Sequence, residues 1–106
     1  MTPTARALKE LRAEGWVPWV VEATVHTFKR DLFNCIDVLA IKDKVTLAIQ
    51  VTSGNNHAAR VHKVRDNQYL PIMLEVGWQV EVWSYRKNAV GRYVGRREQI
   101  HALANP

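Results

Sequence analysis

The chain has one cysteine in 106 residues, Cys35, so no intramolecular disulfide can form, and a reducing, cytoplasmic setting is expected. Long apolar runs are missing as well. None reaches the roughly 18–20 residues that span a bilayer, so no membrane partner is expected. The opening "MTPTARALKE" contains no apolar segment followed by small residues, and no signal peptide is expected from it. There is no glycine-rich phosphate loop, no Gly-x-Ser-x-Gly and no paired-cysteine zinc pattern, which removes three common nucleotide, hydrolase and metal motifs. Acid is the scarcer charge. Ten Asp and Glu against fifteen Lys and Arg leave a net charge of +5, a balance that favours polyanionic partners.

Apolar residues make up 47% and charged residues 24% of the chain, the proportions of a globular protein. No linker or low-complexity stretch divides it, so residues 1–106 are read as one domain. "TARALKELRAEG" predicts a helix with an apolar stripe of Ala5, Leu8, Leu11 and Ala13, capped by Thr2 or Thr4 and stopped at Gly15. "WVPWVVEATVHTF" predicts one strand, rich in β-branched and aromatic residues, with Pro18 at an edge or irregular entry. "KRD" breaks it.

"IDVLAIKDKVTLAIQVTS" predicts a β-hairpin. If Asp43–Lys44 form a two-residue turn, antiparallel partners sum to 87. Ile36, Val38 and Ala40 then face Val51, Ile49 and Leu47, a wholly apolar surface. Asp37, Leu39 and Ile41 face Gln50, Ala48 and Thr46. A slip of one residue would scramble this separation. Cys35 is read as a buried strand residue rather than a reactive thiol. "SGNNH" is a polar loop leading into a helix over "AARVHKVRDNQYL", and Pro71 opens a short helical segment ending at Gly77. "WQVEVWSYR" alternates as a strand with one buried face; its outer face offers a surface for symmetric pairing. The tail predicts a short strand around Arg92–Val94 and then fraying. The order is α-β-β-β-α-β, an α/β fold with a mixed sheet covered by helices.

A carboxylate inside such a hairpin costs several kcal/mol, on the order expected for any buried charge, unless it is hydrogen-bonded, paired or bound to a cation. Period-two geometry sets Gln50 and Thr52 on one side, with the Val51 carbonyl between them. Carboxylate, amide and backbone oxygens suit a hard divalent cation such as Mg²⁺. A strand-end aspartate open to solvent, or paired with an arginine, is the plain alternative. His57 and His62 are five residues apart, which turns their imidazoles away from each other on a helix, so a histidine metal pair is not expected. Trp16, Trp19, Trp78 and Trp83 read as core or interface residues rather than base-stacking platforms.

The first helix ending in "EGW", the strand after it, "IDVLAIKDKVTLAIQVTS", and the following helix and strand together resemble the PD-(D/E)XK nuclease superfamily, most closely its Holliday junction resolvase-like branch. The resemblance covers about Thr4 to Tyr85. It implies a restriction-endonuclease-like core in which Asp37 matches the aspartate that ends one strand. "Gln50-Val51-Thr52" lies where the family carries Glu-x-Lys, and Thr4 falls near a first-helix glutamate of many resolvases. Glutamine keeps an oxygen ligand without its charge, and threonine cannot replace the lysine.

The implied activity is a divalent-metal-dependent endonuclease hydrolysing DNA phosphodiester bonds, branched or Holliday junction DNA included, with Mg²⁺ or Mn²⁺ as cofactor. Asp37, Gln50, Val51 and Glu22 form the expected metal set, and Asp37, Gln50, Thr52 and Lys63 the catalytic set, with Lys63 or Arg60 standing in for the missing lysine. Arg30, Ser53, Asn55, Asn56, His57, Arg60 and Lys63, together with the C-terminal arginines, are expected to hold nucleic-acid phosphates. A chain this short cutting two strands is expected to work as a homodimer. The alternatives are a catalytically inactive nucleic-acid-binding module of the same fold, and an RNA-directed nuclease.

Overall fold

The computed structural model describes residues 1–102. The first apolar stripe forms α1 (Pro3–Ala13). Thr2 is its N-cap, its hydroxyl accepting the Ala5 N–H at 3.1 Å, and Ala7 and Leu11 are fully buried on its inner face. Gly15, at φ +88°, ends the helix in the left-handed conformation that glycine reaches without strain. The chain then enters β1 (Val17–Val20).

The single strand expected over "WVPWVVEATVHTF" is two pieces. β1 pairs with β4 (Val38–Lys42) only as far as Val20 opposite Val38. β4 has no residues beyond that point, so β1 loses its partner and the chain leaves the sheet. β2 (Ala23–Val25) and β3 (Phe28–Arg30) pair with each other as a separate two-stranded hairpin. His26 turns it at φ +56°.

The hairpin of β4 and β5 (Val45–Ser53) has the predicted register: Val38–Ile49, Leu39–Ala48, Ala40–Leu47 and Ile41–Thr46. Asp43 and Lys44 have φ of +49° and +68°, the two left-handed residues of a type I′ turn, whose twist matches the flanking strands. Lys44 carries a Cβ into that region. Lys44→Gly is therefore expected to raise stability by about 0.5–1 kcal/mol, read as a later urea midpoint at unchanged slope. Pairing ends earlier than expected, because Ile36 bridges back to Leu32 instead of facing Val51.

After a 3₁₀ turn (Gly54–Asn56), α2 (His57–Arg65) and α3 (Leu70–Glu75, with Pro71 in its first turn) lead into β6 (Gln79–Lys87). β6 lies parallel to β5 and β7 (Tyr93–Ile100) antiparallel to β6, giving the order β1-β4-β5-β6-β7. The result is an α/β fold with a five-stranded mixed sheet flanked by helices. β7 runs eight residues where a short strand was expected. It is an edge strand, and only Ile100 of it is buried, so it has little apolar periodicity to display. The end of the predicted fraying tail, residues 103–106, lies outside the described residues.

Alternation along β5 and β6 sends side chains to two cores. Ala48, Val80 and Val82 pack with Val61 and Val64 of α2 and with Leu70 and Met73 of α3. Leu47, Ile49, Val51, Trp83 and Tyr85 pack beneath Ala7 and Leu11 of α1. β6 is thus buried on both faces, and its outer face is not free for symmetric pairing as expected. Arg97 of β7 fastens α1 down. Its guanidinium meets Glu14 at 2.8 and 2.6 Å and Glu10 at 3.0 Å, and lies 3.7 Å from the Trp83 ring centroid. That hydrogen bonding holds the Glu14 carboxyl below its usual range. No helix among the described residues is long and apolar enough to cross a membrane.

Candidate functional site

Asp37 stands where the hairpin ladder stops. Its N–H donates to the Ile49 carbonyl at 2.9 Å, although Ile49 already opposes Val38. Two residues of one strand thus meet one of the other, the arrangement of a bulge, which re-aims a side chain. The Asp37 side chain turns over the end of β5. There Oδ2 accepts the Val51 N–H at 2.9 Å and an N–H of the Gln50 amide. The Asp37 carbonyl in turn accepts the Val21 N–H at 2.9 Å, tying the end of β1 to the same point.

The excursion between β1 and β4 returns two further acids. Glu22 lies two residues past the end of β1. Asp31 follows β3, and a tight turn through Phe33 (φ +52°) and Asn34 (φ +62°) closes with reciprocal Leu32–Ile36 backbone hydrogen bonds of 2.9 Å. Asn67 braces that turn from the loop after α2, donating to the Phe33 carbonyl at 2.9 Å. One carboxylate oxygen from each of Glu22, Asp31 and Asp37 lies within 4.8 Å of the others. These acids line a cleft of about 460 Å³ together with Thr2, Thr4, Lys29, Gln50 and Arg60.

The cluster is electrostatically unbalanced. Asp37 is only 5% exposed. Burial pushes its carboxyl up to about 7, with the nearby Asp31 carboxylate adding to the rise, while the bonds from Val51 and Gln50 oppose it. The cations that answer it are on the rim: Lys29 reaches Glu22 at 3.3 Å and Lys63 reaches Asp31 at 3.6 Å. Both lysines are well exposed, so solvent weakens these pairs. Arg60 lines the cleft with no ion pair among the described residues.

Of the expected residues, Asp37, Gln50, Val51, Glu22 and Arg60 meet in the cleft, and Lys63 stands beside it through Asp31. Gln50 and Val51 differ from expectation in role. With Asp37 an acceptor, the amide presents its nitrogen, so Gln50 orients Asp37 through Nε2 and leaves its own Oε1 without a partner. Val51 offers Asp37 its N–H. Thr52 is buried opposite Ser84 and does not line the cleft. Arg30 is exposed on β3 outside it. Ser53, Asn55 and Asn56 are exposed around the 3₁₀ turn, where Asn56 donates to the Ser53 hydroxyl at 3.2 Å. His57 is no surface phosphate ligand. It is 3% exposed, 2.7 Å from the Ser84 hydroxyl and 3.0 Å from Glu98.

The C-terminal arginines are partly engaged. Arg97 is bound to α1, and Arg96 reaches Glu98 at 3.2 Å. Cys35 is fully buried in the turn, and burial pushes its thiol up to about 11, which makes it inert. Sequence reasoning missed Asp31 and Lys29. Asp31 was read only as part of the "KRD" break, and its sole signal is an acid beside a turn six residues before Asp37.

Comparison with protein-family models, curated proteins and solved structures finds no match to this chain. Three carboxylates and an amide are hard oxygen donors, the set that suits Mg²⁺ or Mn²⁺. Gln50 Oε1 is buried with no hydrogen-bond partner, and such an orphan atom calls for an explanation. The donor chemistry and the orphan oxygen both fit a divalent cation.

Proposed function

We propose that this chain is a divalent-metal-dependent endonuclease with a PD-(D/E)XK-like core that hydrolyses DNA phosphodiester bonds, branched DNA included. The observation that carries this reading is the convergence of Glu22, Asp31 and Asp37 from three separate segments on one cleft bordered by Arg60, which has no ion pair among the described residues. An ion held by these acids would activate water and offset charge on the phosphate.

The chain's own groups prepare that site. Gln50 and the Val51 N–H fix the Asp37 carboxylate. Lys29 and Lys63 hold Glu22 and Asp31 at the rim, and Arg60 offers a charge-assisted contact to a backbone phosphate. Arg60 thus supplies the cation that Thr52 cannot. The proposed homodimer would pair through the free edge of β1, where Val17, Trp19 and neighbouring Ile41 are 63%, 75% and 55% exposed.

The second reading, a binding module without cleavage, is favoured by one observation: the Gln50 amide already occupies an Asp37 oxygen. Nicking of plasmid and branched DNA with Mg²⁺ or Mn²⁺ separates the two. Cleavage that disappears in Asp37→Ala supports the enzyme. Gel shifts that are the same in EDTA as with metal, without cleavage under either ion, support the binder. A parallel RNA substrate decides between DNA and RNA.

A further inference from the structure

The β2–β3 hairpin stands apart from both cores. Its strands pair only with each other, in a sheet separate from the main one, and two strands alone are marginally stable in water. Residues 26–30 are all exposed. Phe28 is 74% exposed and belongs to neither core, so packing gives no reason for an aromatic ring there. The stretch "ATVHTFKR" (23–30) carries Lys29 and Arg30 and no acid. Arg30 makes no ion pair among the described residues.

The hairpin grows directly out of the acidic cleft. Glu22 immediately precedes Ala23, and Asp31 immediately follows Arg30, so two of the three clustered carboxylates sit at its two ends. Alternation sorts the ribbon into two faces. Thr24 opposes Lys29 on one, while Ala23 opposes Arg30 on the other, which Phe28 shares. Lys29 lines the cleft and reaches Glu22 at 3.3 Å, so its face is turned to the acids. The Phe28–Arg30 face is turned away from them. The ribbon is a thin partition with a cation toward the cleft and a ring with a second cation on the far side.

A continuous duplex offers such a ring little, because its bases are stacked on one another. A fork exposes the face of its last base pair, and a ring stacks on any base. The two strands that part there present phosphates to cations on both sides of whatever divides them. We propose that the β2–β3 hairpin is a wedge that selects forked DNA. Phe28 stacks on the open end of the duplex arm, Arg30 holds that arm's backbone, and the diverging strand runs along the Lys29 face into the cleft. The proposal rests on the reading of the cleft as the cutting site and makes Phe28 the residue that sets its substrate preference. Phe28 lies three residues before Asp31, about 10 Å of extended chain. At ~3.4 Å per nucleotide, cutting falls within about three nucleotides of the fork.

The test compares a splayed-arm fork with a continuous duplex of the same sequence, using the full chain, Phe28→Ala and Phe28→Trp. Cleavage is read with Mn²⁺, and affinity by gel shift in EDTA. The parent is expected to favour the fork about tenfold or more, Phe28→Ala to lose that preference and Phe28→Trp to keep it. Because Phe28 is exposed and apart from the acids, Phe28→Ala should melt with the parent and respond to Mn²⁺ as the parent does. Asp37-dependent cleavage that is equal on fork and duplex overturns the wedge and leaves the cleft reading intact. So does a fork preference untouched by Phe28→Ala, or cuts scattered far from the fork. No cleavage of either substrate overturns the cleft reading instead, and the gel shifts then decide. A fork preference lost in Phe28→Ala keeps the wedge as a binding element, whereas equal affinity, or a preference that survives the substitution, removes it.

Discussion

Asp37→Ala is expected to abolish metal-dependent cleavage. Substitutions that only orient a metal ligand commonly cost about 10–100-fold, so losing the central carboxylate should exceed a hundredfold. Millimolar Mn²⁺ is expected to raise the melting temperature of the parent chain and not that of Asp37→Ala, since an ion bound only by the folded state stabilises it by mass action. Gln50→Leu should keep the carboxylate but lose its orientation, falling in the 10–100-fold range. If Asp37→Ala retains both cleavage and the Mn²⁺ shift, the acidic cleft is not the site.

The same residue gives a prediction that needs no metal. Its carboxyl is raised from 3.8 to about 7, so between those values the folded chain holds a proton that the unfolded chain has released. Stability therefore falls as pH rises from about 4 to about 7, and the whole loss is present above 7. Asp37→Asn cannot ionise. Its Oδ1 still accepts the Val51 N–H, and rotation of the Gln50 amide would let Oε1 accept from the new amide nitrogen. Asp37→Asn is expected to be more stable than the parent at pH 8, on the order of a few kcal/mol, and close to it at pH 4. Equal destabilisation at both pH values in urea unfolding would show that the carboxylate is not strained in the fold.

The second large effect is expected at His57, for a structural reason. Its ring is buried between Ser84 and Glu98. One neutral tautomer satisfies all three groups: the Ser84 hydroxyl donates to Nδ1, and Nε2–H donates to Glu98 Oε1. Glu98 is also reached by Arg96 at 3.2 Å and Arg65 at 3.7 Å, so His57 ties the first turn of α2 to β6 and β7. His57→Ala leaves a cavity and a buried hydroxyl without its partner. A loss of about 2–4 kcal/mol is expected. In a double-mutant cycle His57→Ala and Glu98→Gln should show a coupling of about 1 kcal/mol or more, while additivity would mean that the two do not act together. DNA affinity per folded molecule should not change, because the imidazole does not reach the surface.

The core of the hairpin was legible because it is local. With Asp43–Lys44 as the turn, Val38, Ala40, Leu47 and Ile49 share one apolar face, and a slip of one residue would mix them with Asp37, Thr46 and Gln50. The end of α1 was equally plain in Gly15, while its start was narrowed to Thr2 or Thr4, of which Thr2 is the cap and Thr4 lies inside the helix. The strand over "WVPWVVEATVHTF" was misread because β propensity reports which residues tolerate an extended chain. It does not report whether a partner strand remains beside them. β7 was under-read because an edge strand has almost no buried face to generate a pattern.

The sequence alone placed Asp37 and Gln50 close together at the end of this hairpin, through two-residue periodicity and one tight turn, while the bulge that swings Asp37 over β5 came only with the fold. Only the tertiary structure decided what surrounds them. Asp31 and Lys29 arrive on a loop whose path depends on where β1 runs out of partner. Thr52 and His57 turn into the interior because β6 and β7 lie beside them. A cavity lined by Arg6 and Tyr85 exists only because α1 crosses strands some eighty residues distant in the chain, and no local pattern encodes that crossing.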